Sequence, residues 1–219
     1  MKALLVQKNI NDVDCEQYLK QAESRGAGLV AFGELATTGC LYQPREVDSL
    51  DKLLTTLSRY DVRVLIGVPY ADGDCLRDSC LYYEKGNYQI YNKINLFEPM
   101  NEPSVYRRGD KPGLFETDFG RVGVAICYDL RFDNVFADLK SGGAGLLFVI
   151  AAWPRVRVDA WKQLLMQRAR EHAVRVIGIN SVGDDGTNVF GGTSLVVAAD
   201  GSILAEADET TETVLKVEL

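Results

Sequence analysis

Short apolar runs alternate with amphipathic stretches along most of the chain. Residues 3–7 (ALLVQ), Leu29–Phe32, Arg63–Pro69, Val122–Ile126 and Leu146–Ile150 are brief, mostly apolar and largely aliphatic. Runs of that length read as strands buried on both faces. Between them, apolar positions recur at helical spacing. Cys15, Tyr18, Leu19 and Ala22 share one face of a helix that Asp14 starts and Gly26 ends. Leu50, Leu53, Leu54 and Leu57 mark a second helix, with Asp48 or Ser49 as its cap. A third runs from about 132 to 141. Asp159 caps a longer one whose stripe holds Trp161, Leu165, Arg168 and His172. Residues 79–84 and 87–92 predict a hairpin turning at Lys85-Gly86, and 194–199 and 202–206 another at Asp200-Gly201. Arg175–Val182 and Thr213–Leu219 read as strands, and 93–113 as loop.

This order predicts layered sheets with helices outside. Two similar halves, each contributing one sheet, would give an α/β fold of four layers, an αββα sandwich. The 219 residues carry no Pro-, Ser- or Gly-rich linker, so one domain over 1–219 is expected. The hydrophobic and charged fractions, 47% and 25%, are those of a soluble globule and exclude a disordered chain. A net charge of −7 without a Lys/Arg cluster argues against nucleic acid or an anionic membrane as partner. The apolar run after Met1 and Lys2 is too short for an export signal or a membrane span, which predicts a cytoplasmic protein. The odd set Cys15, Cys40, Cys75, Cys80 and Cys127 then reads as free thiols. Cys75 and Cys80 have no His or second Cys pair beside them, so neither a metal nor a cofactor is expected.

Three of the strands end in a reactive side chain. Glu34 follows Leu29–Gly33, Lys93 follows Gln89–Asn92, and Cys127 follows Val122–Ile126. Ligands bind at the carboxyl ends of strands in open sheets, so three such ends can share one pocket. A carboxylate, an ammonium and a thiol complete a set for acyl transfer. Glu34 would take the thiol proton and return it to the leaving nitrogen, while Cys127 attacks a carbonyl or nitrile carbon. Lys93 and the Tyr128 N–H would steady the oxyanion. Asp129 reads as the N-cap of the helix near Phe132, and a helix start and a cation would lower the thiol pKa. Taken alone, each of the three has a plainer reading: a small apolar core residue for Cys127, a solvated or capping carboxylate for Glu34, a surface ammonium for Lys93. Their coincidence has none. His172, the only imidazole, lies on a helix stripe and reads as a packed, hydrogen-bonded side chain, which leaves Glu34 as the base. Trp153 follows a buried strand and could wall an acyl pocket or sit in the core. Arg131, Arg155 and Arg157 could each meet a substrate carboxylate or form a structural salt bridge.

GELATTGC (33–40), YNKINLFEP (91–99) and GVAICYDLRF (123–132) resemble the three signatures of the nitrilase, or carbon–nitrogen hydrolase, superfamily, in its order and near its spacing. Residues 151–183 and GGTSLVVAADG (191–201) resemble its omega-amidase-like branch. The resemblance implies the four-layer αββα sandwich and a Glu-Lys-Cys triad at Glu34, Lys93 and Cys127. It also implies a second glutamate, Glu102, that orients the lysine; the residues alone make Glu102 a loop carboxylate. It implies a cysteine-dependent amidohydrolase that cleaves a small linear carboxamide through a thioester and releases ammonia, and a homodimer. A non-catalytic binding protein, or a hydrolase of nitriles or N-carbamoyl compounds, is the alternative. The chain departs from the pattern at Asn95, where the family often has His, at His172, where the branch favours Asn, and at Cys40, where an aromatic is usual. It stops at Leu219, where many members continue into an arm that crosses a dimer.

Overall fold

The short apolar runs are strands, and they sort into two six-stranded sheets. The computed structural model describes residues 1–43 and 45–219. The first half runs β1 (Lys2–Gln7), α1 (Glu16–Arg25), β2 (Leu29–Phe32), α2 (Leu50–Leu57), β3 (Arg63–Asp72), β4 (Cys75–Glu84), β5 (Asn87–Asn92) and the single turn α3 (Glu102–Val105). The second runs β6 (Gly113–Thr117), β7 (Gly120–Ile126), α4 (Asp133–Ser141), β8 (Leu146–Ile150), α5 (Val158–His172), β9 (Arg175–Ile179), β10 (Val182–Asp184), β11 (Val189–Gly191), β12 (Leu195–Val197), β13 (Ile203–Glu206) and β14 (Thr213–Glu218).

The first sheet has the order β14-β1-β2-β3-β4-β5, the second β13-β12-β9-β8-β7-β6, and β10 and β11 form a separate hairpin. Each large sheet has three parallel strands at its centre, β1-β2-β3 and β7-β8-β9, with antiparallel strands outside them. The parallel strands are joined through α1 and α2 in one half and α4 and α5 in the other, as parallel pairing requires.

Side-chain alternation decides which layer each residue joins. Leu5, Ala31 and Leu65 face inward and pack with Val124, Ile126, Phe148 and Ile150 of the second sheet. Their neighbours Leu4, Val6, Val30, Phe32, Val64 and Ile66 face outward, against Leu19 and Ala22 of α1 and Leu57 of α2. On the far side α4 contributes Val135, Phe136 and Leu139, and α5 contributes Trp161, Leu165 and Ala169. Helix, sheet, sheet, helix is the αββα sandwich expected.

The structure corrects several sequence-based expectations. The third strand continues to Asp72 and the fourth begins at Cys75, so β3 and β4 form a ten-residue hairpin across Gly73-Asp74. Pairing with β3 carries polar Arg77 and Asp78 into the sheet. The stretch 93–113 contains α3 and leads into β6, which hairpins with β7. Residues 175–182 are not one strand: β9 stops at Ile179 and the chain turns off into β10. Asp159 lies in the first turn of α5, whose N-cap position is Arg157. Arg168, on the predicted stripe, is buried and donates to Leu130 O (3.2 Å), Asp133 Oδ1 (3.0 Å) and Glu171 Oε2 (2.8 Å). Among the described residues, no helix is long and apolar enough to cross a membrane.

One glycine is fixed by packing. The turn after β2 lies directly on β3: Gly67 N donates to Gly33 O (3.1 Å) and Ala36 N to Gly67 O (2.8 Å). A Cβ at Gly67 would sit 2.5 Å from Glu34 Cα and 2.5 Å from Gly33 O. Gly67→Ala is therefore expected to destabilise the fold by roughly 1–3 kcal/mol through backbone displacement. A shift in the urea midpoint with unchanged slope measures it; an unshifted midpoint would show that the turn can move aside at no cost.

Candidate active site

The ends of β2, β5 and β7 meet at one edge of the two facing sheets. Glu34 stands on the turn that Gly67 admits. Lys93 extends β5 past its last ladder pair, with its N–H donating to Asp78 O (2.9 Å) and its own carbonyl accepting from Gly109 N (2.7 Å). Glu102 opens α3. Cys127 follows β7 directly, at a φ of +44°. That left-handed conformation is costly for a side chain bearing Cβ, and it turns the sulfur sharply off the strand.

Lys93 is fully buried, and its ammonium donates to three carboxylates. Glu34 Oε1 lies at 2.6 Å, Glu102 Oε1 at 2.8 Å and Asp78 Oδ2 at 3.1 Å. The far oxygens of the two glutamates are also fixed: Glu34 Oε2 accepts from Ala152 N (2.7 Å) and Glu102 Oε2 from Phe97 N (2.7 Å). All three acids are buried.

Burial favours the neutral form of every group here, and the neighbours decide the outcome. For Lys93, burial pulls the pKa down, but Glu102, Glu34 and Asp78 together lift it well above the usual ammonium range. For Glu34, burial pushes up; the Lys93 charge and hydrogen bond, the neighbouring Asp78 carboxyl and the Ala152 N–H outweigh it and hold the carboxyl below its ordinary value. Asp78 is driven well up by burial and by the charge of Glu34, against the pull of Lys93. Glu102 is raised by burial, with Lys93 opposing. The Cys127 thiol is pushed well above the usual thiol range, first by burial and then by the charge of Glu34, with Lys93 pulling the other way. This reverses the expectation of a lowered thiol pKa. The cation is present, but it is already surrounded by carboxylates, and the sulfur is dry.

Two narrow cavities share Cys127, Met100 and Ala152. One is lined by Glu34, Glu102, Cys40 and Tyr106. The other is lined by Phe97, Tyr128, Arg131, Trp153 and Arg157. Each has about 10 Å³ of open space, room for one water. The sulfur sits at their junction, with acids on one side and guanidiniums on the other. Arg131 lies 5.0 Å above the Trp153 ring and Arg157 5.4 Å from the Phe97 ring. Among the described residues no carboxylate pairs with either, whereas Arg155 reaches Glu209 at 3.8 Å. Trp153 is buried and its indole N–H donates to Arg157 O (2.8 Å), so it is both core and cavity wall.

Glu34, Lys93, Glu102 and Cys127 are thus brought together, and Tyr128, Arg131 and Trp153 line the adjoining space. His172 is not part of it: its Nε2 lies 2.9 Å from Asp133 Oδ1, and its ring stacks near Phe136 on the outer helices. Asp129 is not the N-cap of α4, whose N-cap position is Phe132; its carboxylate instead caps the short turn that begins at Cys127. It is buried in the turn after Cys127 and accepts from Tyr91 OH (2.7 Å), Asn95 N and Nδ2 (both 2.9 Å) and Ile126 N (3.1 Å). It therefore braces the Cys127 turn against β5. Burial raises its pKa against those donors. Asp78 and Tyr106 had no sequence signal that was read; a charge in phase with the buried face of an extended β4 would have exposed the first. Among the described residues, two clusters have the spacing to hold a cation, Glu34-Asp78-Glu102 and Asp133-Glu171-His172. Lys93 already fills the first and Arg168 bridges two members of the second.

The fold is shared by solved hydrolases. Residues 7–219 match the carbon–nitrogen hydrolase family. The chain belongs to that family, within the nitrilase superfamily, and is a hydrolase of carbon–nitrogen bonds. It is 31% identical over 202 residues to 2-oxoglutaramate amidase of Bacillus subtilis (strain 168), covering 87% of this chain and 77% of that one. It is 34% identical over 135 residues to an omega-amidase of Escherichia coli (strain K12), covering 61% of this chain and 52% of that one. The amidase of Nesterenkonia sp. AN1 superposes with a TM-score of 0.90 at 22% identity, over 100% of this chain and 92% of that one.

The neutral thiol has a direct readout. Ultraviolet titration of wild type minus Cys127→Ala should show no thiolate from this residue until the pH exceeds the ordinary thiol range, where burial has moved it. Thiolate absorbance at neutral pH would instead mean a sulfur ion-paired to Lys93.

Proposed function

We propose that the protein hydrolyses small linear amides that carry a carboxylate at the far end, through a thioester on Cys127, and releases ammonia. The observation that carries this reading is the position of the sulfur between an acid–base cluster and two guanidiniums without carboxylate partners. The names of the relatives, 2-oxoglutaramate amidase and omega-amidase, support the same substrate class.

Glu34, ionised at rest, accepts the thiol proton as sulfur attacks the amide carbon. The carbonyl electron pair moves onto oxygen, toward Lys93 and the Tyr128 N–H. All three ammonium protons are committed at rest. Protonation of Glu34 weakens its hold on Lys93, so the base step itself frees a donor for the oxyanion. The tetrahedral species collapses, Glu34 returns its proton to nitrogen, and ammonia leaves. Water then attacks the thioester carbon and gives its proton to Glu34. The C–S bond breaks, the acid departs, and the proton returns to sulfur. Glu102 holds Lys93 throughout. At the other end Arg131 and Arg157 receive the distal carboxylate, and Trp153 and Phe97 stack beneath them.

Cys127→Ala is expected to lose at least about a thousandfold in kcat, and Glu34→Gln about a hundred- to ten-thousandfold, measured as ammonia release. Intact mass spectrometry of wild type mixed with a panel of such amides should show an acyl adduct absent from Cys127→Ala. Turnover surviving in that variant would end the proposal. For Arg131→Met and Arg157→Met, kcat/KM should fall roughly 10–100-fold more for a carboxylate-bearing amide than for an uncharged amide of equal length. Equal losses on both substrates would show that the guanidiniums do not read the carboxylate.

A further inference from the structure

Three carboxylates share one ammonium in a site closed to water. Were Glu34, Asp78 and Glu102 all ionised, the cluster would hold two more negative charges than positive ones with no solvent to screen them. One of them has to be neutral.

The hydrogen bonds separate the candidates. Both oxygens of Glu34 and both of Glu102 have donors. Asp78 accepts only the longest of the three ammonium contacts, and its Oδ1 is buried with no partner among the described residues. An acceptor without a donor is the costly state of a carboxylate. Tyr106 OH is also buried and unpartnered, so it does not relieve Oδ1. Oxygens of Asp78, Glu34 and Glu102 lie within 4.8 Å of one another. Carboxylates crowded at that range repel, whereas a carboxylic acid can turn its proton toward a neighbouring carboxylate.

We infer that Asp78 is a positioning residue held as the neutral acid, donating its proton to the carboxylate of Glu34. The inference rests on Glu34 being the base of the proposed reaction. Its consequence for that reaction is specific. A neutral donor beside Glu34 favours the ionised base, whereas an ionised neighbour would oppose it. The titratable groups near enough to interact electrostatically with Asp78 are Glu34, Lys93, Glu102, Cys40, Cys80, Tyr106 and Cys127. Of these only Lys93 is cationic, and it is shared. Asparagine keeps both roles, since its amide oxygen can accept from Lys93 and its N–H can donate to Glu34.

Infrared difference spectroscopy of the resting protein tests the proton without substrate. Protein carrying ¹³C-aspartate should show, at neutral pH, the carbonyl band of a buried carboxylic acid that is lost in Asp78→Asn. Only carboxylate bands would overturn the inference, and this holds whatever the protein hydrolyses. If Asp78→Asn does not fold, persistence of the band in labelled wild type as the pH is raised through neutrality decides the point. The role on Glu34 is read from the acid limb of kcat/KM. In Asp78→Ala that limb should move up, and in Asp78→Asn it should return to within about 0.3 pH units of wild type. A limb lowered by about one unit or more in Asp78→Asn would mean that an ionised aspartate had been removed. A limb unmoved in Asp78→Ala would make the residue structural only.

Discussion

The ammonium of Lys93 is the contact on which the rest of the site depends. It is the one positive charge among buried acids that arrive from three separate segments: the turn after β2, the body of β4 and the start of α3. Buried ion pairs of this kind contribute little net stability, because desolvation offsets most of the attraction. What they supply is specification. Only one arrangement of these segments satisfies the three donors of the ammonium. Without it, two or three carboxyls would be left in a dry interior, which costs several kcal/mol, about 3–5 for a single broken buried pair.

The sandwich turns this local demand into a site. Lys93 and Glu34 stand at strand ends of the first sheet, and Cys127 at a strand end of the second. Face-to-face packing of the sheets closes the distance between them. The turn at Cys127 is held by a buried carboxylate, Asp129, tied to Tyr91 and Asn95 of the opposite sheet and its extension. The strained turn at Cys127 is thereby referenced to the same strand that carries the lysine. Burial pushes the thiol above its ordinary range, so in the proposed reaction the sulfur attacks only as Glu34 takes its proton.

Glu34, Lys93 and Cys127 were legible because each interrupts an apolar run at a point where a strand must end. Glu102 was visible only through resemblance. A carboxylate in an irregular segment has no periodicity to mark it, and its role comes from two hydrogen bonds that fold into place around it. Asp78 was missed because Arg77 and Asp78 look like turn chemistry by local propensity, while pairing with the long β3 overrides that preference. Asp129 was misread for the reverse reason. Its sequence position suits a cap, but the helix starts four residues later and the carboxylate turns inward. The thiol pKa had the wrong sign because a sequence shows a nearby cation more readily than it shows dryness, or how many anions already claim that cation.

The closure of the first sheet reaches across the whole chain. β14 lies antiparallel on β1, with Lys2 opposite Glu218 and Gln7 opposite Thr213. During synthesis on the ribosome β1 emerges well before β14. Until then one flank of β1 presents open backbone donors and acceptors, the kind of edge that recruits foreign strands. The first half therefore carries an open strand edge until the second half has been made and β14 can close it.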